Sequence, residues 1–140
     1  MSPNAEAISV KDHPIDILLV EDSEADIKIA LRAFGRAKIK NNIIVVRDGQ
    51  EALDYLTHQN QYADPSKWTD PDMILLDIQL PRLTGFEVLQ ALKKDDKLKM
   101  IPVVVLTSSR NDKDILQSYS YGVVSFIQKP VEYQEFEKAV

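Results

Sequence analysis

Two apolar runs in this chain end in acids. Glu21-Asp22 closes Ile17-Leu18-Leu19-Val20, and Asp77 closes Met73-Ile74-Leu75-Leu76. Carboxylates at the ends of buried strands are costly to desolvate unless a cation shares the site. Three such acids side by side also repel one another and need a counter-charge. Hard oxygen ligands of this kind suit Mg²⁺, which binds through one or two carboxylates, keeps waters and favours phosphate oxygens. Acids are also favourable at a helix start for electrostatic reasons, but that simpler account leaves Asp77 unexplained. Thr107-Ser108 follows Val103-Val104-Val105-Leu106, where a hydroxyl could donate to a phosphoryl oxygen or merely cap a helix. Lys129 follows the last apolar run and precedes Pro130. An ammonium there would offset part of the acidic charge and could clamp a phosphoryl oxygen as a point charge. The chemistry these residues imply is cation-assisted phosphoryl transfer to Asp77.

Such residues need strand ends to hold them. Five strands are expected, at Ile15–Val20, Ile43–Arg47, Met73–Asp77, Pro102–Thr107 and Val123–Gln128. Three are nearly unbroken apolar runs, as in strands covered on both faces. Pro102 is expected to open its strand, where a missing N–H is tolerated. Helix patterns lie between them. Ile27, Ala30, Leu31 and Phe34 share one face, with Ser23 as cap and Asp26 three residues on. Ala52, Leu53 and Leu56 mark a second helix. Val88, Leu89 and Leu92 mark a third, after a turn at Gly85. Ile115, Leu116 and Tyr119 mark a fourth, ending at Gly122, and Tyr133, Phe136 and Val140 a fifth. This alternation predicts an α/β, doubly wound, five-stranded parallel sheet with helices on both faces. A strand order of 2-1-3-4-5 would bring the ends of strands one and three together at the switch point where ligands bind. The connection from His58 to Pro71 is long and carries Pro65 and Trp68.

The bulk properties fit one soluble domain. The chain has 140 residues, 44% hydrophobic and 28% charged, with a formal net charge of -5. That balance argues against a nucleic-acid surface, which needs a basic stripe. Without cysteine, disulfides, thiolate metal sites and thiol catalysis are excluded. No apolar run approaches a membrane span, and residues 1–14 lack a signal-peptide layout. The expectation is a cytoplasmic protein with a flexible tail over residues 1–14 and one domain over 15–140.

These positions together resemble the receiver domain of two-component response regulators, a (βα)5 flavodoxin-like fold. The resemblance spans about residues 15–140. It rests on Leu-Leu-Val-Glu21-Asp22, Leu-Leu-Asp77-Ile-Gln-Leu-Pro81 with Gly85, Leu-Thr107-Ser108, and Phe126-Ile-Gln-Lys129-Pro130. Ser23-Glu-Ala-Asp-Ile, the long loop before strand three and Ile101-Pro-Val-Val-Val-Leu-Thr are most similar to the small single-domain regulators paired with cyanobacterial phytochromes. The resemblance implies that Asp77 accepts a phosphoryl group from a sensor histidine kinase of phytochrome type. It implies Mg²⁺, with Mn²⁺ an alternative, held by Asp22, Asp77 and the backbone carbonyl of Gln79, with Glu21 acting mainly through water. Thr107 and Lys129 would bind phosphoryl oxygens, and the Lys129–Pro130 bond would be cis, against about 5–6% for an average X–Pro bond. Thr107 and Phe126 would form the switch: Thr107 moves toward the phosphoryl group and Phe126 turns inward. The protein would be no enzyme in the turnover sense, although it assists its own phosphorylation and dephosphorylation. No output module is expected after the fifth helix pattern, so the signal is expected to leave through a surface. In relatives that surface is often the helix four, strand five and helix five face, sometimes as a homodimer, to which Tyr119, Val123 and Tyr133 could contribute.

The sequence departs from the family in two places. Phe126 stands where tyrosine is usual, and Leu83-Thr84 precedes Gly85 where an acidic or amide residue with a basic neighbour is usual. A phosphorylation-independent interaction module is the competing class, and the complete acid, Thr and Lys set argues against it. A flavin carrier would need a glycine- and hydroxyl-rich loop after strand one, where this chain places Glu21-Asp22-Ser23-Glu24. A phosphatase with an aspartyl intermediate would need an acid at position 79, which is Gln. His13 and His58 are expected to be isolated and exposed, without a catalytic part.

Overall fold

The computed structural model describes residues 14–37, 40–80, 82–107 and 123–129, apart from the side chains of Val124, Phe126 and Gln128. Five parallel strands run β1 (Ile15–Val20), β2 (Asn41–Val46), β3 (Met73–Asp77), β4 (Val103–Thr107) and β5 (Val123–Gln128). Their order is β2-β1-β3-β4-β5, the doubly wound arrangement with its switch point between β1 and β3. Val20 pairs with Leu76, and Asp77 with Leu106. The acids that follow β1 and end β3 therefore reach the same edge of the sheet.

Alternation along each strand builds two apolar layers. Leu18, Val20, Ile74, Leu76, Val103 and Val105 face one side, against helices α2 (Gly49–Leu56) and α3 (Gly85–Lys94). Ile17, Leu19, Met73, Leu75, Val104 and Leu106 face the other, against α1 (Glu24–Gly35). Among the described residues no helix is long and apolar enough to cross a membrane.

The helix starts follow from local chemistry. Ser23 caps α1, its side chain accepting from the Asp26 N–H at 3.3 Å. Asp48 caps α2 by accepting from the Glu51 N–H at 2.8 Å. Thr84 and Glu87 form a reciprocal capping box on α3, so the unusual Leu83-Thr84 pair has a structural role. Arg82 adopts φ 65° in the turn that leads there. At Gly85 an added Cβ would fall 2.6 Å from the Asp77 carbonyl oxygen, which explains the glycine.

Four expectations need correction. The second strand is Asn41–Val46, beginning two residues earlier than its apolar run because Asn41 and Asn42 pair with Ile15 and Asp16. Pro102 precedes β4, its carbonyl accepting from the Ile74 N–H at 2.9 Å. Leu31 is 40% exposed. The buried stripe of α1 is Ile27, Ala30, Ala33 and Phe34, and Leu31, one residue on from Ala30, lies about 100° round the helix. His58 is half-buried and bonded to Asp70 at 3.0 Å, with Lys97 on the other oxygen of Asp70 at 2.9 Å. The Lys97 contact, with His58 adding to it, holds Asp70 below the usual carboxylate range.

That pairing belongs to an ordered connection between α2 and β3. His58 and Asn60 take positive φ, and Asn60–Tyr62 form a 3₁₀ turn. Tyr55, Tyr62 and Trp68 meet edge to face, with centroids 5.0 to 6.0 Å apart. Such pairs contribute about 0.5–1.5 kcal/mol each beyond area burial. Tyr55 donates to the Thr69 carbonyl at 2.8 Å and Tyr62 to Glu51 at 2.6 Å. The tail (residues 1–13), Ser108, Pro130 and its peptide bond, the fourth and fifth helix patterns, Tyr119, Tyr133 and His13 lie outside the described residues.

Candidate phosphoryl-transfer site

Four acids and one lysine meet at the C-terminal edge of the sheet. Glu21 leaves β1 with its N–H on the Val46 carbonyl at 3.0 Å. Asp77 ends β3, and Lys129 leaves β5 with its N–H on the Thr107 carbonyl at 2.7 Å. That last bond aligns the exits of β4 and β5. Asp26 comes from the first turn of α1. Lys129 Nζ lies 2.7 Å from Glu21 Oε1, 2.9 Å from Asp77 Oδ2 and 3.1 Å from Asp26 Oδ2. The other Asp77 oxygen, Oδ1, accepts from the Gln79 N–H at 3.0 Å.

Burial sets the electrostatics. Glu21 is 1% exposed and Asp77 4%, whereas Asp22 is open to solvent. Desolvation is the largest influence on Glu21. Lys129 works against it and Asp77 with it, and the carboxyl is pushed up to about 7. Burial disfavours the Lys129 ammonium, but its contacts with the Glu21 and Asp77 carboxylates outweigh it, so its pKa stands above the ordinary lysine value. One lysine thus compensates an over-acidic pocket only in part.

The residues fit a hard divalent cation. Carboxylate oxygens of Glu21, Asp22 and Asp77 lie within 4.8 Å of one another. Glu21 Oε1 is buried and, although ion-paired with Lys129, has no partner in hydrogen-bond geometry. A buried carboxylate oxygen met by the lysine as an ion pair, beside two more carboxylates, matches the donor set that Mg²⁺ or Mn²⁺ prefers.

The sequence-predicted residues come together unevenly. Glu21, Asp22, Asp77 and Lys129 share the site. Thr107 is buried on the neighbouring strand end, paired in register with Gln128. Gln79 contributes its N–H to Asp77. The backbone of Phe126 pairs with Val105 in the sheet, and its side chain lies outside the described atoms. Asp26 was missed as a site residue. No strand-end pattern marks it, because it lies in the first turn of α1.

Residues 17–140 match the response regulator receiver domain family, and the chain belongs to it. Receiver domains take a phosphoryl group from sensor histidine kinases. Among relatives, the chain is 40% identical over 129 residues to the probable methanogenesis regulatory protein FilR2 of Methanothrix harundinacea, covering 92% of this chain and 81% of that protein. It is 39% identical over 127 residues to the response regulator Rcp1 of Synechocystis, covering 91% and 84%. The Mn²⁺-bound form of Rcp1 superposes with a TM-score of 0.77 at 38% identity, covering 90% of this chain and 89% of that one. The phosphorylated cyanobacterial phytochrome response regulator RcpA gives 0.78 at 41% identity, covering 91% and 89%.

Proposed function

We propose that this chain is a phosphorylation-controlled signalling switch in which Asp77 accepts a phosphoryl group from the phosphohistidine of a phytochrome-type sensor kinase. The observation that carries this reading is Asp77 itself, a buried carboxylate held by the Gln79 N–H on one oxygen and Lys129 on the other. The likeness to phosphorylated RcpA supports the phytochrome pairing.

In the transfer, an Asp77 oxygen attacks phosphorus in line. An O–P bond forms as the bond from phosphorus to the imidazole nitrogen breaks, and the electron pair stays on that nitrogen. Catalysis here is positioning and charge neutralisation. Gln79 N–H fixes the carboxylate, Lys129 follows the charge that gathers on the phosphoryl oxygens, and the Thr107 hydroxyl donates to one of them. Glu21, Asp22, Asp77 and the Gln79 carbonyl would hold Mg²⁺, and the bound ion would neutralise charge on the phosphoryl oxygens. The acyl phosphate is labile, so the mark is temporary. Thr107 moving inward and Phe126 following it would bias a two-state equilibrium. A protein surface, with a homodimer through the helix four, strand five and helix five face as one form, carries the signal onward.

The test is labelling by acetyl phosphate with and without Mg²⁺, followed by transfer profiling against phytochrome-type and other sensor kinases. Labelling that requires the ion and is fastest from a phytochrome-type kinase is expected. Equal labelling in excess chelator would remove the metal from the scheme.

Glu21 gives the site a pH dependence. Between the ordinary glutamate value of 4.5 and about 7, the folded metal-free protein holds a proton that the unfolded chain has released. Its stability therefore falls as pH rises through that window. A bound cation displaces the same proton, so Mg²⁺ affinity rises with pH and levels off above about 7. With one proton displaced, affinity gains about tenfold from pH 6 to pH 8. Calorimetry in two buffers of different ionisation enthalpy would detect the released proton, and an affinity flat across that range would contradict the assignment.

A further inference from the structure

We propose that Asp26 is a positioning residue for phosphoryl transfer, holding the Lys129 ammonium at the mouth of the site once a cation has engaged the other carboxylates. The inference rests on reading Asp77 as the phosphoacceptor.

Lys129 Nζ has three carboxylate neighbours: Glu21, Asp77 and Asp26. Two of these, Glu21 and Asp77, belong with Asp22 to the trio whose oxygens lie within 4.8 Å of one another. A divalent ion seated among that trio draws on the same lone pairs that now face the ammonium. Asp26 stands outside the trio. Among the described residues it is the one Lys129 partner that the ion leaves in place.

Its location suits the task. The Asp26 side chain is 31% exposed, against 1% for Glu21 and 6% for Asp77. It therefore sits at the rim and draws Nζ toward the solvent side, where a phosphoryl donor must arrive. Its backbone is fixed, because its N–H donates to the Ser23 cap at 3.3 Å. A lysine is a point charge on a flexible stem with three rotatable donors. Without a tether, that charge would spread over several rotamers just when it must meet a phosphoryl oxygen. Asp26 removes that freedom by a hydrogen bond, which a neutral acceptor of the same shape can also make.

The experiment measures the rate of phosphorylation by acetyl phosphate at saturating Mg²⁺ for the wild type, Asp26→Ala, Asp26→Asn, Lys129→Ala and Asp26→Ala/Lys129→Ala. Asp26→Ala is expected to slow transfer about tenfold, as a misplaced group does, while Asp26→Asn stays within about threefold of wild type because its amide oxygen still accepts. In the Lys129→Ala background the Asp26→Ala change should have no further effect, an outcome that a merely structural role would not produce. An unchanged rate for Asp26→Ala, equal losses for Ala and Asn, or full additivity with Lys129→Ala would each overturn the proposal. If Asp26→Ala fails to fold, the Asp26→Asn rate alone decides, and a tenfold loss there refutes hydrogen-bonded positioning. Failure of the underlying reading looks different: the wild type would not label, or Asp77→Asn would label as well as it does.

Discussion

Asp77→Asn is expected to reduce labelling by acetyl phosphate or a cognate kinase to background while leaving the fold intact. The amide is isosteric with the carboxylate but is not a nucleophile toward phosphorus. Its oxygen still accepts from one of the two donors now served, the Gln79 N–H or Lys129 Nζ. Lys129 keeps Glu21 and Asp26 in either case. Removing one charge from an over-acidic pocket also relieves repulsion, so unfolding should shift little. Mass analysis of the labelled protein and a urea melt check the two halves together. Stoichiometric label on another residue of the variant would reject Asp77 as the acceptor.

Lys129→Ala should have the largest effect on stability. Its side chain is 13% exposed and is ion-paired with two carboxylates at least as buried, Glu21 at 1% and Asp77 at 6%. Removing one partner of a buried pair leaves uncompensated charge and costs roughly 3–5 kcal/mol. Part of that loss is avoided by protonation of Glu21, whose carboxyl is already pushed up to about 7. The deficit should therefore deepen above neutrality. Mg²⁺ should restore much of it, because a ligand that binds only the folded state adds stability by mass action. Urea titrations of the variant with Mg²⁺ and with chelator would show this. A variant as stable as wild type in chelator at pH 8 would mean that the acids do not depend on the lysine.

Much of this was legible because parallel strands buried on both faces must be written as apolar runs. The residue that ends such a run is placed at the sheet edge by the fold itself. Glu21, Asp77, Thr107 and Lys129 could be found this way, each as the first chemistry-bearing side chain after or at the end of a strand. Asp26 could not, because its role depends on how α1 packs, and helix periodicity alone does not say which polar residue turns toward the sheet edge. Leu31 failed for the related reason that an apolar residue beside a stripe reads like one within it. Asn41 and Asn42 carry no strand signal; their pairing is imposed by β1. The order inside the His58–Pro71 connection was invisible because it comes from edge-to-face rings and left-handed backbone at His58 and Asn60, neither of which has a periodic pattern.

The packing of that connection has a practical consequence. Trp68 is the only tryptophan in the chain. It lines a groove with Asp16, Asn41 and Asn42, at the opposite end of β1 from Glu21, five residues or roughly 16 Å of strand away. Its emission is therefore a built-in thermometer of the scaffold, nearly deaf to chemistry at the far rim. A shift in indole colour during a titration would announce that the ring cluster has loosened, so the same sample carries its own integrity gauge.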